Sequence, residues 1–385
     1  MGYKTYNCDV SKRCGGCEWL AVPYPIQLKR KQEEIEGLFK GFRNARINPI
    51  IGMDEPLHCR NKIIVCFTSD KSGKVRYGLY EKRSHRIIER SDCIVEDERA
   101  KPILNTLAKL ATSFKLSVYN EETGYGFLRY ALLRIGKKTG EVLVCLVANG
   151  ETLYGAKAFV RKLREAHPEV KTVVLNVNKR NTNVVLGERE RVLYGPGFIE
   201  DELLGCRFRI SSTSFFQVNP TQTERLYSKA IELAGLDDTQ TLIDAYCGIG
   251  TIGLIASKHA AQVFGVEVNK QAIKDARSNA SRNRIENATF IAEDAGKFMR
   301  QMAADRQRAD VVILDPPRSG SDERFLASLC EMRPKRVVYI SCNPKTQVRD
   351  VEFLEERGYK LLEVTPVDMF PHTKHVETVV SLSRQ

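Results

Sequence analysis

The 385-residue chain has no run approaching the ~18 consecutive apolar residues that a membrane-spanning helix needs, which excludes a bilayer helix. Its first twenty residues, MGYKTYNCDVSKRCGGCEWL, lack the apolar centre of a secretion signal. The opening Met-Gly has Tyr6 where N-myristoylation requires Ser or Thr. The expectation is a cytoplasmic protein. Repeats with a period of about 20–50 residues are absent, which excludes a solenoid. Wholesale disorder is excluded too, because 42% of the residues are hydrophobic and 28% charged. At roughly 150 residues per domain, two or three domains are expected.

The charge is unevenly placed. Residues 1–210 hold 37 Lys and Arg against 25 Asp and Glu, whereas residues 211–385 hold 23 of each. A solvated surface is one reading of such an excess. The excess also comes with interleaved aromatics, Tyr77, Tyr80, Tyr125, Phe127 and Tyr130. That combination fits a polyanion-binding module joined to a neutral catalytic one, with nucleic acid as the partner.

Eleven cysteines in a cytoplasmic chain do not read as a disulfide framework. Cys8, Cys14 and Cys17 form a C-x5-C-G-G-C run, and Gly15 and Gly16 let the backbone turn so that thiolates can face one point. Cys59, Cys66, Cys145, Cys206, Cys247 and Cys330 are expected in the core.

Residues 25–42 read as an amphipathic helix, with Ile26, Ile35, Leu38 and Phe39 on its apolar side. Alternating runs over 59–95, a helix after Cys93, and the runs GFLRYALLRIG, GEVLVCLVANG, VKTVVLNVN and TNVVLGER predict an α+β domain of antiparallel strands across residues 1–210. From residue 211 strands and helices alternate strictly, and the strands are almost continuously apolar. That pattern predicts a parallel, doubly wound α/β sheet over 211–385. Ligands of such sheets sit beyond the carboxyl ends of the strands.

Those ends carry polar residues. The first strand runs into Asp244-Ala-Tyr246-Cys-Gly248-Ile-Gly250, where glycines allow close approach to a ligand. Glu267 ends the second strand, about twenty residues on, where a carboxylate typically accepts hydrogen bonds from ribose hydroxyls. Asp294 ends the third strand and Asp315-Pro-Pro-Arg318 the fourth. The glycine turn alone also suits a nicotinamide dinucleotide. The whole set suits S-adenosylmethionine, and Cys342 decides between them. Ser341-Cys342-Asn343-Pro344 follows an apolar strand, so the thiol lies on the same rim as Asp315. The last strand brings Glu377, which is either a satisfied surface carboxylate or, near Cys342, a general base.

A thiol, a methyl donor and a base meet the needs of one reaction. C5 of uracil is too weak a nucleophile to take a methyl group unaided. A thiolate adding to C6 breaks the conjugation and leaves an enolate with electron density at C5. After C5 is methylated, its proton must be removed so that the thiol can leave. Amino methylation of adenine or guanine also uses Asp/Asn-Pro-Pro motifs, but it has no use for a thiol or for Glu377. A non-catalytic RNA-binding protein carrying a degenerate transferase would show a broken motif, and none is broken.

These motifs resemble those of the RNA uracil-C5 methyltransferase family (the TrmA/RumA group). The matching elements are Phe215-Phe-Gln217-x-Asn219, Asp244-x-x-Cys-Gly-x-Gly-Thr, Asp315-Pro-Pro-Arg318-x-Gly320, Ser341-Cys342-Asn343-Pro344 and His375-Val-Glu377-Thr-Val. The resemblance implies a Rossmann-like catalytic domain over 211–385, against which the helix at 25–42 packs. It also implies that Gln217, Tyr246, Glu267 and Asp315 bind S-adenosylmethionine, that Cys342 is the nucleophile and that Glu377 is the base. Many relatives carry Phe where Tyr246 stands.

Several relatives hold a [4Fe–4S] cluster with a C-x5-C-G-G-C run and a distant fourth cysteine. The resemblance therefore implies a cluster on Cys8, Cys14, Cys17 and Cys93, serving as a structural staple for the N-terminal α+β domain. Spacing alone allows a four-cysteine zinc site equally. Many relatives also begin with a small β-barrel, the TRAM domain, which is expected to be missing here because the cysteine run starts at residue 8. That makes the chain most similar to the short RlmC branch, so 23S ribosomal RNA is the expected substrate and transfer RNA the alternative.

Overall fold

The computed structural model describes residues 4–385 apart from positions 83, 85, 90, 91 and 183. Two large sheets dominate it. The first has eight strands in the order Arg46–Ile47, Tyr359–Val367, Glu377–Arg384, Arg336–Ser341, Val311–Leu314, Thr241–Ala245, Gln262–Glu267 and Ala288–Ala292. Helices follow the parallel strands and cover both faces, so central strands such as Val311–Leu314 are buried throughout. The chain order reverses between Thr241–Ala245 and Val311–Leu314, which opens a crevice at their carboxyl ends.

The sheet departs from the expected all-parallel form in one strand. Glu377–Arg384 lies antiparallel to both of its neighbours, Arg336–Ser341 and Tyr359–Val367. The beginning of this strand therefore coincides with the ends of the others, and Glu377 is its first residue.

The helix expected at 25–42 forms as Tyr24–Phe39 and lies against this sheet. Ile35 and Phe39 share a core with Ile243, Val312 and Tyr339. Its buried face also carries polar groups that an apolar stripe does not reveal. Lys31 pairs with Asp368 at 2.5 Å with both side chains fully buried, and the Tyr24 hydroxyl donates to Asp368 at 2.7 Å. Gln27 accepts from the His372 main-chain N–H at 2.9 Å, and the Trp19 N–H donates to the His372 carbonyl at 2.9 Å. These bonds fasten the segment that leads into Glu377.

The second sheet has seven strands in the order Ile87–Glu89, Val75–Tyr80, Lys62–Ser69, Leu128–Ile135, Val142–Ala148, Val170–Val177 and Arg189–Tyr194. It is antiparallel as expected except for Val142–Ala148 and Val170–Val177, which pair in parallel through the crossover helix Ala156–Ala166. One face packs on that helix and on Ala100–Ser113. The opposite face, with Cys66, Tyr130 and Leu132, joins a core that includes Phe208, Phe216 and Met369 from the other half. Burial on both faces explains why Leu128–Ile135 and Val142–Ala148 are buried along their whole length.

Some local expectations are corrected. Residues 182 and 184–188 form no strand, and pairing starts at Arg189; position 183 lies outside the described residues. Of the run at 84–90 only Ile87–Glu89 pairs, positions 85 and 90 lying outside the described residues. Cys66, Cys145, Cys206 and Cys247 are buried, but Cys59 and Cys330 are only partly so. Among the described residues no helix is long and apolar enough to cross a membrane.

Candidate active site and the four-cysteine cavity

The crevice begins at the turn after Thr241–Ala245. Gly250 has φ +80°, and a Cβ there would come within 2.8 Å of the Phe290 ring, so only glycine fits. Asp244 accepts a hydrogen bond from the Gly253 N–H at 2.7 Å through Oδ2, while its Oδ1 is buried with no partner. Burial pushes this carboxyl up to about 7, and the nearby charges of Asp315 and Glu267 add to the shift. Tyr246, at φ +62°, lays its ring against Phe325 with centroids 5.1 Å apart. Glu267 accepts from the Asn269 N–H at 2.9 Å. Asp294 is engaged differently, as the cap of the helix Ala295–Ala304, accepting from the Lys297 N–H at 2.8 Å.

Asp315 and Arg318 act electrically on both Cys342 and Glu377, and Glu377 acts on Cys342. Asp315 follows Val311–Leu314, and burial pushes it up to about 7. Glu377 is 3% exposed. Burial pushes its carboxyl up to about 8, with Asp315 adding to the rise and Arg318 opposing it. Cys342, one residue beyond Arg336–Ser341, is partly buried. Burial and then the carboxylates of Glu377 and Asp315 raise its thiol pKa, while the Arg318 guanidinium and its hydrogen bond lower it. The Arg318 carbonyl accepts from the Asn343 side chain at 2.9 Å and from the Thr346 hydroxyl at 3.3 Å, which ties the two loops together.

Gln217 reaches this region from the loop before the helix Pro220–Ala234. Its main-chain oxygen accepts from the Asn61 side chain at 3.3 Å, and its side chain bonds the buried Tyr227. Tyr227 also feels the charges of Asp315, Asp244 and Glu377. Asn219 caps the same helix and donates to the Met369 carbonyl at 3.1 Å. Tyr227 and Asn61 carried no sequence signal, since a tyrosine in an amphipathic helix reads as core. Arg318 was visible only as part of a motif.

Cys342 and Glu377 thus share one place with Asp315. Gln217 is linked to that place through Tyr227, and Tyr246 and Glu267 stand along the neighbouring strand ends. A thiol, buried carboxylates and a guanidinium together can add to an electron-poor ring and move a proton.

The N-terminal cysteines converge as well. Cys8, Cys14, Cys17 and Cys93 line one cavity of about 380 Å³ together with Glu89 and Asp92. Burial pushes the Cys17 thiol up to about 12, and Cys93, Cys14 and Cys8 add to the rise. Among the described residues no three or more His, Cys, Asp or Glu side chains are grouped so as to hold a metal, so the expected cluster site is not seen assembled.

The family model for tRNA (uracil-5-)-methyltransferase matches residues 23–385. An uncharacterized RNA methyltransferase of Halalkalibacterium halodurans is 42% identical over 378 residues, covering 97% of this chain and 82% of that protein. A second, from Bacillus cereus, is 40% identical over 384 residues, covering 99% and 83%. Among solved structures, the Pyrococcus abyssi tRNA (uracil-54, C5)-methyltransferase in complex with S-adenosyl-L-homocysteine superposes with a TM-score of 0.80 at 30% identity, over 95% of this chain and 85% of that one. The α/β methyltransferase fold, the clustered motif residues and these similarities agree: the chain belongs to the tRNA (uracil-5-)-methyltransferase family.

Proposed function

We propose that this protein transfers a methyl group from S-adenosylmethionine to C5 of a uridine in 23S ribosomal RNA, giving 5-methyluridine, in the cytoplasm. The observation that carries the reading is the juxtaposition of Cys342 with the buried carboxyl of Glu377 at the carboxyl end of Arg336–Ser341. The Cys342 thiolate adds to C6, and the electron pair displaced onto the ring makes C5 the nucleophile. The sulfonium of the bound donor supplies the methyl group. Glu377 then takes the C5 proton, the C6–S bond breaks and the thiolate is released. Arg318 favours the thiolate. A carboxyl held near 8 is a stronger base than a free one and is poised close to working pH. Gln217, Tyr246, Glu267 and Asp315 bind the donor, Glu267 through the ribose hydroxyls.

The Pyrococcus structure favours a second reading, with transfer RNA as substrate. Mapping 5-methyluridine in 23S ribosomal RNA and in transfer RNA, from cells with and without the gene, separates the two. Loss of the mark from transfer RNA alone overturns the ribosomal assignment.

The four cysteines fit a [4Fe–4S] cluster. Four thiols around one cavity supply its donors. The same four thiols would also suit a four-cysteine zinc site, and the family resemblance is what favours the cluster. Bound there, the cluster would hold residues 8–17 against the 93 region and leave the methyl transfer to the crevice. The basic first half supplies the RNA contacts.

A further inference from the structure

One pair of side chains beside the active site lacks the counter-charge that its burial demands. Lys62 and Arg134 stand opposite each other on the antiparallel strands Lys62–Ser69 and Leu128–Ile135, so their side chains share a face. It is the face turned toward the catalytic half, the one that carries Cys66, Tyr130 and Leu132. Arg134 is 3% exposed. Its Nη2 donates to the Ser214 carbonyl, but Nε and Nη1 are buried with no partner. Lys62 is partly exposed and feels the charge of Arg134. Burial, and then the arginine's charge, pushes the lysine down to about 8.

The location is specific. Asn61, next to Lys62, donates its N–H to the Val218 carbonyl at 2.9 Å and its side-chain amide to the Gln217 carbonyl at 3.3 Å. The cations therefore border the loop that carries Gln217. Like charges placed opposite each other across a sheet are destabilising, and buried charges are ordinarily paired. An arrangement that costs stability beside a reacting centre suits an anion arriving with the substrate.

We propose that Lys62, backed by the charge and unmet donors of Arg134, binds a backbone phosphate of the RNA next to the nucleotide that enters the Cys342–Glu377 site. The inference rests on RNA being the substrate. The carboxylate of S-adenosylmethionine is the other anion that comes to this crevice, and the test separates the two.

Binding of transfer RNA and 23S ribosomal RNA transcripts by the full chain is measured over a range of salt, alongside S-adenosylmethionine titrations and thermal unfolding. Lys62→Gln is expected to weaken both RNAs alike and to lower the slope of log affinity against log salt by about 0.7–1. It should leave S-adenosylmethionine affinity unchanged and raise Tm, because the repulsion is gone. Lys62→Arg should restore the slope. An unchanged slope, or a loss of S-adenosylmethionine affinity instead, overturns the proposal. Failure of the wild-type protein to form an adduct with 5-fluorouridine RNA would sink the uracil reading and leave the salt slope to speak for the phosphate site alone.

Discussion

Cys342 and Glu377 leave the sheet opposite each other, although they are distant in sequence. Ser341 pairs with Thr378 in an antiparallel register, and one further step of that register brings the thiol across from the carboxyl. Facing residues of such a pair share one side of the sheet. The Glu377 charge raises the thiol's pKa, and Asp315 and Arg318 act on both groups.

Removal of the thiol tests the nucleophile. RNA carrying 5-fluorouridine should become covalently attached to the wild-type protein after methyl transfer, because fluorine cannot leave as a proton. Cys342→Ala should form no denaturant-resistant adduct and lose activity by at least about 10⁴. Adduct formation by the variant, seen on a denaturing gel, would place the nucleophile elsewhere.

Glu377→Gln should stall the reaction after methylation. The methylated RNA stays joined to Cys342, and turnover falls by about 10²–10⁴. Mass spectrometry of the trapped complex should find the methyl group already on the base. Rapid turnover would mean that another group takes the proton.

The raised carboxyls also make stability depend on pH. Asp244 and Asp315 move from 3.8 to about 7, and Glu377 from 4.5 to about 8. Between these limits the native state binds more protons than the unfolded chain, so stability is greatest at the acid end and declines as pH rises. Denaturant melts of cofactor-free protein should therefore lose free energy from about pH 5 to about pH 8. Glu377→Gln should flatten that slope, and a slope unaltered by the variant would contradict the burial argument.

Lys31 and Asp368 form a fully buried pair. Lys31→Met leaves an uncompensated carboxylate and should cost about 3–5 kcal/mol in denaturant unfolding. Adding Asp368→Asn should recover part of the loss, because a neutral amide can still accept from the Tyr24 hydroxyl. A loss below about 1 kcal/mol would show that water reaches the pair.

Protein purified without oxygen should be brown and hold about four irons with acid-labile sulfide. Cys93→Ser should lose the colour. Zinc without sulfide would remove the cluster from the account.

The sequence by itself determined the alternation that makes a doubly wound sheet, because strands buried on two faces must be apolar throughout, as in Val311–Leu314. It also determined that polar residues such as Asp315 and Cys342 stand at strand ends, since the motifs carry their own local geometry. It showed the apolar side of the helix Tyr24–Phe39, but not that Gln27 and Lys31 lie on the buried face, because their partners Asp368 and His372 come from the far end of the chain. Strand direction escaped it as well, since an apolar run reads the same either way. Only the tertiary structure turned the last strand around, and that reversal brings Glu377 to Cys342. The convergence of Cys93 with Cys8, Cys14 and Cys17, and the facing cations Lys62 and Arg134, are likewise products of pairing between distant segments, which no local pattern encodes.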